Sequence, residues 1–85
     1  MPDKPTVEIA PLADHYVAIV RNQDSSRMPK AVKLNASAAW ILSRILEGKS
    51  DDEIAPALAA RYGIPLEKAL GDVKSFRGSF TQSYL

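Results

Sequence analysis

At 85 residues the chain has room for one small core and little stability to spare, which weighs against a deep enzyme pocket. It is 46% apolar and 25% charged with a net charge of +1, the composition of an ordinary globular domain without the field that would draw phosphate backbones or anionic membranes. The absence of cysteine excludes disulfides and thiolate metal sites. No charged segment leads into an apolar run of signal-peptide or membrane-spanning length, so the expectation is a single cytoplasmic domain over residues 1–85 with neither a nucleic-acid nor a membrane partner.

Residues 1–5 hold two prolines among polar residues and read as a flexible end. In TVEIA, residues 6–10, Val7 and Ile9 alternate with Glu8 as in a short strand. After punctuation at residues 11–14, HYVAIVR at residues 15–21 is rich in the β-branched and aromatic side chains of a second strand. NQDSSRMP, residues 22–29, is a turn by composition. It leads to KAVKL, residues 30–34, a third strand with Val32 and Leu34 alternating with Lys33. Three short strands predict a small antiparallel sheet that needs a helical layer on one face.

The stretch AVKLNASAAWILSRILEG, residues 31–48, passes from strand directly into helix. Ala38, Ile41, Leu42, Ile45 and Leu46 recur at the spacing of one helical face. Asn35 is placed to cap the first turn, and Gly48 to end the helix by taking positive φ. Ser50-Asp51-Asp52-Glu53 spells a capping box, with two further acids at the positive end of the dipole. Ile54 and Leu58, with Ala55 and Ala59, predict the buried face of a second helix that runs to about Tyr62, before Gly63. Pro56 lies in its interior, where it removes a backbone hydrogen bond and predicts a kink or a 3₁₀ first turn. Pro65 opens a last helix whose apolar residues Leu66, Ala69, Leu70, Val73, Phe76 and Phe80 step by three and four. Gly71 and Gly78 weaken it, and the tail SFTQSYL, residues 79–85, is expected to fray or pack elsewhere.

Few residues invite chemistry. His15 is the only histidine, and without cysteine it reads as a strand-end surface residue rather than a metal ligand. Trp40 lies one position off the apolar stripe and reads as a half-buried packing residue. Asp51, Asp52 and Glu53 read as dipole partners rather than catalytic carboxylates. Asp72, mid-helix, caps or pairs with a neighbouring cation. No nucleophile and base stand in a recognisable arrangement, so no catalytic residue, metal or cofactor is expected and the chain reads as a non-enzyme.

The order of elements is that of a winged helix-turn-helix domain, an α+β fold with a three-stranded antiparallel sheet followed by a three-helix bundle. The residues go further. Leu34-Asn35 with Ala38 and Ile41-Leu42, then Glu47-Gly48, then Glu53-Ile54 with Leu58, then Asp72-Val73 with Phe76, in that order and spacing, resemble the family of pyrroloquinoline quinone (PQQ) biosynthesis protein D (PqqD). That family's pattern runs L-N-x-x-A-x-x-I-L, then D/E-G, then E-I-x-x-x-L, then D-V-x-x-F. The resemblance covers residues 32–76. The chain departs from it at Pro56, and from Arg77-Gly78 onward, where the family's last helix continues with leucines.

The resemblance implies a recognition element for ribosomally made precursor peptides. Such a domain is a non-catalytic chaperone that holds the leader peptide by strand addition beside the third strand and presents it to a modifying enzyme of radical SAM type. Carried onto this sequence, the peptide lies beside Lys30, Ala31, Val32, Lys33 and Leu34, and Val73, Lys74 and Arg77 of the last helix form the facing wall. Four cations, Lys30, Lys33, Lys74 and Arg77, about an apolar floor imply an acidic, apolar-anchored peptide. A proline at Val32 is expected to remove a donor from the peptide edge. The shared fold order keeps a winged-helix DNA-binding regulator as the alternative, although residues 50–62 set Asp51, Asp52 and Glu53 against Arg61 alone. An open edge strand and the uncertain tail also leave room for a homodimer.

Overall fold

The computed structural model describes residues 6–21 and 29–84, with side chains as far as residue 82; the expectations for residues 1–5 and 22–28 lie outside the described residues. Strands β1 (Thr6–Leu12), β2 (His15–Arg21) and β3 (Lys30–Leu34) precede helices α1 (Ala36–Leu46), α2 (Asp51–Tyr62) and α3 (Leu66–Tyr84). The strands form one antiparallel sheet in the order β1-β2-β3, an α+β arrangement.

The register decides which backbone groups face outward. Leu12 pairs with His15 across the two-residue turn Ala13-Asp14, where Ala13 takes a positive φ of 53°. The residues closing such a hairpin exchange both hydrogen bonds, and bonded and non-bonded pairs then alternate. Along β2, Tyr16, Ala18 and Val20 therefore direct their backbone groups at β3, where they meet Leu34, Val32 and Lys30. Ala31 and Lys33 direct theirs away from the sheet. The proline expected at Val32 would thus break the β2–β3 ladder, because the Val32 N–H faces inward. On the opposite edge the same alternation turns Pro11 outward, opposite Tyr16. A proline is tolerated there, since its missing donor falls on the unbonded side. β1 accordingly runs through Pro11 to Leu12 and not only to residue 10.

The caps follow the sequence closely. Asn35, at φ −80° and ψ 175°, accepts the Ala38 N–H on its side-chain oxygen at 2.8 Å. After α1, Gly48 takes φ +86°. Its N–H reaches the Ile45 carbonyl at 2.9 Å and the Lys49 N–H reaches that of Arg44 at 3.2 Å, the paired bonds of a Schellman motif. Before α2, the Glu53 N–H donates to Ser50 Oγ at 3.3 Å and the Ser50 N–H to Glu53 Oε1 at 3.0 Å. Gly63, at φ 64° and ψ 37°, ends α2. Pro56 lies within a continuous α-helix on its exposed side, so water can take the carbonyl it leaves without a partner, and no 3₁₀ first turn forms.

The Ser50 N–H, and then its hydroxyl, hold the Glu53 carboxyl below its ordinary pKa. A depressed carboxylate stabilises the fold above its unfolded pKa and loses that contribution as pH falls through the lower, folded value. Ser50→Ala is expected to cost about 1 kcal/mol, or about 4–8 °C in Tm for a chain of this size. Melting curves across the acid range check both effects. The variant's deficit should be largest near neutrality and shrink once Glu53 is protonated.

The helices cover one face of the sheet through one apolar cluster and pack on one another through a second. Ala18, Val20 and Leu34 meet Ala39 and Leu42 of α1 and Phe80 of α3 in the first. Ile54, Ala55 and Leu58 of α2 meet Ile41, Ala69 and Val73 in the second. Phe76 packs against both. Three assignments along the apolar stripes change. Ala39 is buried whereas Leu46 is 45% exposed, and Leu66, at 55% exposed, lies outside the core at the start of α3. The tail does not fray after Gly78: α3 continues to Tyr84, because Phe80 is buried at 5% exposure and stacks on Phe76 with ring centroids 5.5 Å apart.

Candidate functional site

Because α1 begins one residue after β3, Asn35, Ser37 and Ala38 stand at the carboxyl end of the edge strand. α3 passes them with Asp72, Ser75, Phe76 and Ser79, and the end of α2 closes the remaining side with Tyr62 and Ile64. Together they enclose a cleft of about 490 Å³. Its floor is Ala38, Ile41, Leu58 and Phe76, and its rim is amide and hydroxyl groups with one ion pair, Lys68 Nζ to Asp72 Oδ2 at 3.7 Å. The side-chain oxygen of Asn35 is occupied by Ala38 N–H and by Ser37 Oγ at 3.1 Å, so the amide –NH₂ is the group it can offer a partner.

The predicted strand residues stand in a row on the outer edge of the sheet. Lys30, Ala31 and Lys33 are exposed, Val32 is half-buried and Leu34 is buried. Among the described residues no strand pairs with the outer flank of β3. The residues expected from α3 are placed differently. Val73 has no accessible surface and belongs to the cluster under α2. Arg77, one turn further along the same face, donates from Nε to Asp51 Oδ1 at 2.6 Å and from Nη2 to the Lys49 carbonyl at 2.8 Å. Lys74 is exposed. None of the three lines the cleft. The face of α3 turned to it is the one carrying Lys68, Asp72, Ser75, Phe76 and Ser79, rotated about 135° from Val73 and Arg77 at about 3.6 residues per turn.

Arg77 therefore acts as a brace between α3 and the start of α2. The Arg77 and Asp51 side chains are 34% and 26% exposed, so solvent screens the pair and its worth is modest. Arg77→Ala is expected to lower stability by about 1 kcal/mol. Urea titration measures that loss, and the variant should retain the cleft.

Sequence reasoning missed the hydroxyl face of α3. The available signal was the spacing of Asp72, Ser75, Phe76 and Ser79, which share one side of a helix. Asp72 does pair with a neighbouring cation, Lys68, and Trp40 is half-buried, both as expected. Among the described residues no group of side chains is arranged to hold a metal ion, and no helix is long and apolar enough to cross a membrane.

No curated protein and no solved structure matches the chain. The family model described as coenzyme PQQ synthesis protein D (PqqD) matches residues 12–83, which takes in β2, the edge strand β3, the cleft and the segment after Gly78 where the motif pattern is departed from, and leaves out all of β1 but Leu12. The chain belongs to the PqqD family.

Proposed function

We propose that this chain is a non-catalytic peptide-binding protein: it takes the leader of a ribosomally made precursor peptide as a fourth strand beside β3 and presents the remainder to a modifying enzyme of radical SAM type. The observation that carries the reading is the edge itself. Ala31 and Lys33 direct N–H and C=O groups outward over a strand without an interior proline, whereas the other free edge carries Pro11 at an outward position. An edge of that kind is a template for strand addition, with the main chain supplying grip and alternate side chains supplying choice.

Side chains of the added strand on the same side as Val32 and Leu34 fall toward the cleft. There Phe76 and Ala38 suit an apolar anchor, while Ser75, Ser79 and the Asn35 amide suit a polar neighbour. Lys33 and Lys74 are the exposed cations around the strand and favour acidic residues in the leader, with Arg77 held by Asp51. The family membership supports a place in coenzyme PQQ synthesis or a related peptide pathway. Against a DNA-binding role stand the acids Asp51, Asp52 and Glu53 in the first turn of α2. Titration calorimetry with the precursor peptide encoded in the same gene neighbourhood tests the reading. Saturable binding lost on deleting the leader supports it, and binding that survives leader deletion counts against it.

A further inference from the structure

On the side of α1 away from the peptide cleft lies a second, smaller cleft of about 220 Å³, lined by Ile9 and Tyr16 of the sheet, Trp40 and Ser43 of α1, and Arg61 and Tyr62 at the end of α2. Its polar groups are unbalanced. Arg61 holds its guanidinium 5.9 Å from the centre of the Trp40 ring and 5.8 Å from that of Tyr62. Among the described residues no carboxylate lies within ion-pair distance of it. Arg44, the other cation on Trp40 at 5.4 Å, is paired with Glu47 at 3.0 Å. The Ser43 hydroxyl donates to the Trp40 carbonyl at 2.8 Å. The Trp40 indole N–H and the Tyr16 and Tyr62 hydroxyls find no hydrogen-bond partner among the described residues. Among the described residues Arg61 is the only charged one of the lining, so they offer donors over an aromatic floor and no carboxylate.

We infer that this cleft is a docking point for a protein partner, taking a glutamate or aspartate side chain of that partner on Arg61, with an adjacent apolar side chain against Trp40 and Tyr16. The charge balance selects an anion, and the volume falls below the range of about 300–1,000 Å³ usual for small-molecule sites, which favours one inserted side chain. Tryptophan, tyrosine and arginine are the residues that dominate binding energy at protein interfaces. An arginine laid on two rings keeps its fork in place with less ordering on contact. The site shares Tyr62 with the cleft beside β3 but takes no residue of β3 itself, so it does not depend on peptide addition there.

The test uses the full ¹⁵N-labelled chain and two capped probes, acetyl-Leu-Glu-amide and its isostere acetyl-Leu-Gln-amide. The glutamate probe should shift the Trp40 indole and Arg61 Nε–H signals saturably, with the glutamine probe weaker by about fivefold, the ratio an exposed ion pair supports. In Arg61→Gln, an exposed last-turn change whose melting curve should match the parent's, that difference should vanish. Equal affinity for the two probes, no saturable shift with either, or shifts confined to residues 30–34 and 75–79 would overturn the inference. So would stronger displacement of the same signals by oligothymidylate, which would assign the aromatic surface to single-stranded nucleic acid. Loss of leader binding at β3 with the Trp40 and Arg61 shifts intact would sink the proposed function and leave this inference standing.

Discussion

Lys33→Pro is expected to abolish leader-peptide binding while the domain stays folded, whereas Val32→Pro one residue earlier should unfold it. The difference rests on the direction of one N–H. At Lys33 the donor faces outward, where a proline is tolerated in an edge strand but can no longer bond an added strand. At Val32 the donor faces β2, opposite Ala18, and losing it leaves an unmatched carbonyl above the core. Each backbone bond is worth about 0.5–1.5 kcal/mol net, and the proline ring also obstructs approach of the incoming chain. Calorimetry with the precursor peptide should therefore show no measurable heat for Lys33→Pro, with far-ultraviolet circular dichroism unchanged. Retained affinity would mean that the peptide does not lie along β3.

The largest expected loss of stability from a single truncation is at Phe80. Phe80→Ala should cost about 3–5 kcal/mol, because the ring is 5% exposed, packs in the cluster shared with Leu34 and Leu42 and stacks on Phe76 at an interplanar angle of 19°. A domain of this length has in all about 4–13 kcal/mol, so the variant should sit near the edge of unfolding at 25 °C. Its urea midpoint should fall sharply with the slope preserved. Phe80→Leu should recover most of the loss. A small effect would place the end of α3 outside the core and remove the support under Phe76, one of the floor residues of the cleft.

Much of this structure was legible because local chemistry and tertiary placement agree. Asn35, Gly48, Ser50 with Glu53, and Gly63 each perform at a helix end what their side chains or their freedom at positive φ dictate. The alternation through β1 and β3 was equally plain, as was the β-branched and aromatic content of β2. Where reading failed, position in the sheet or bundle overrode local preference. Pro11 reads as punctuation, yet an outward N on an edge strand costs no hydrogen bond. Gly78 and the serines and threonine beyond it are poor helix formers, yet burial of Phe80 carries α3 to Tyr84.

The site was half visible for a related reason. The edge strand could be found from pattern, but the wall facing it depends on how α3 is rotated about its axis. That rotation is fixed by Ala69 and Val73 seating on α2 and by Arg77 reaching Asp51. Val73, Lys74 and Arg77 are adjacent in sequence to the wall, and the rotation directs Asp72, Ser75, Phe76 and Ser79 into the cleft instead.

Amide hydrogen exchange at Ala31 and Lys33, followed with and without the precursor peptide, tests the central claim most directly. Both amides face solvent in the free chain and should exchange quickly, and both should become protected together when the leader adds as a fourth strand, with Val32 little changed. Protection that leaves Ala31 and Lys33 exchanging as fast as before, while affinity is intact, would contradict strand addition at this edge.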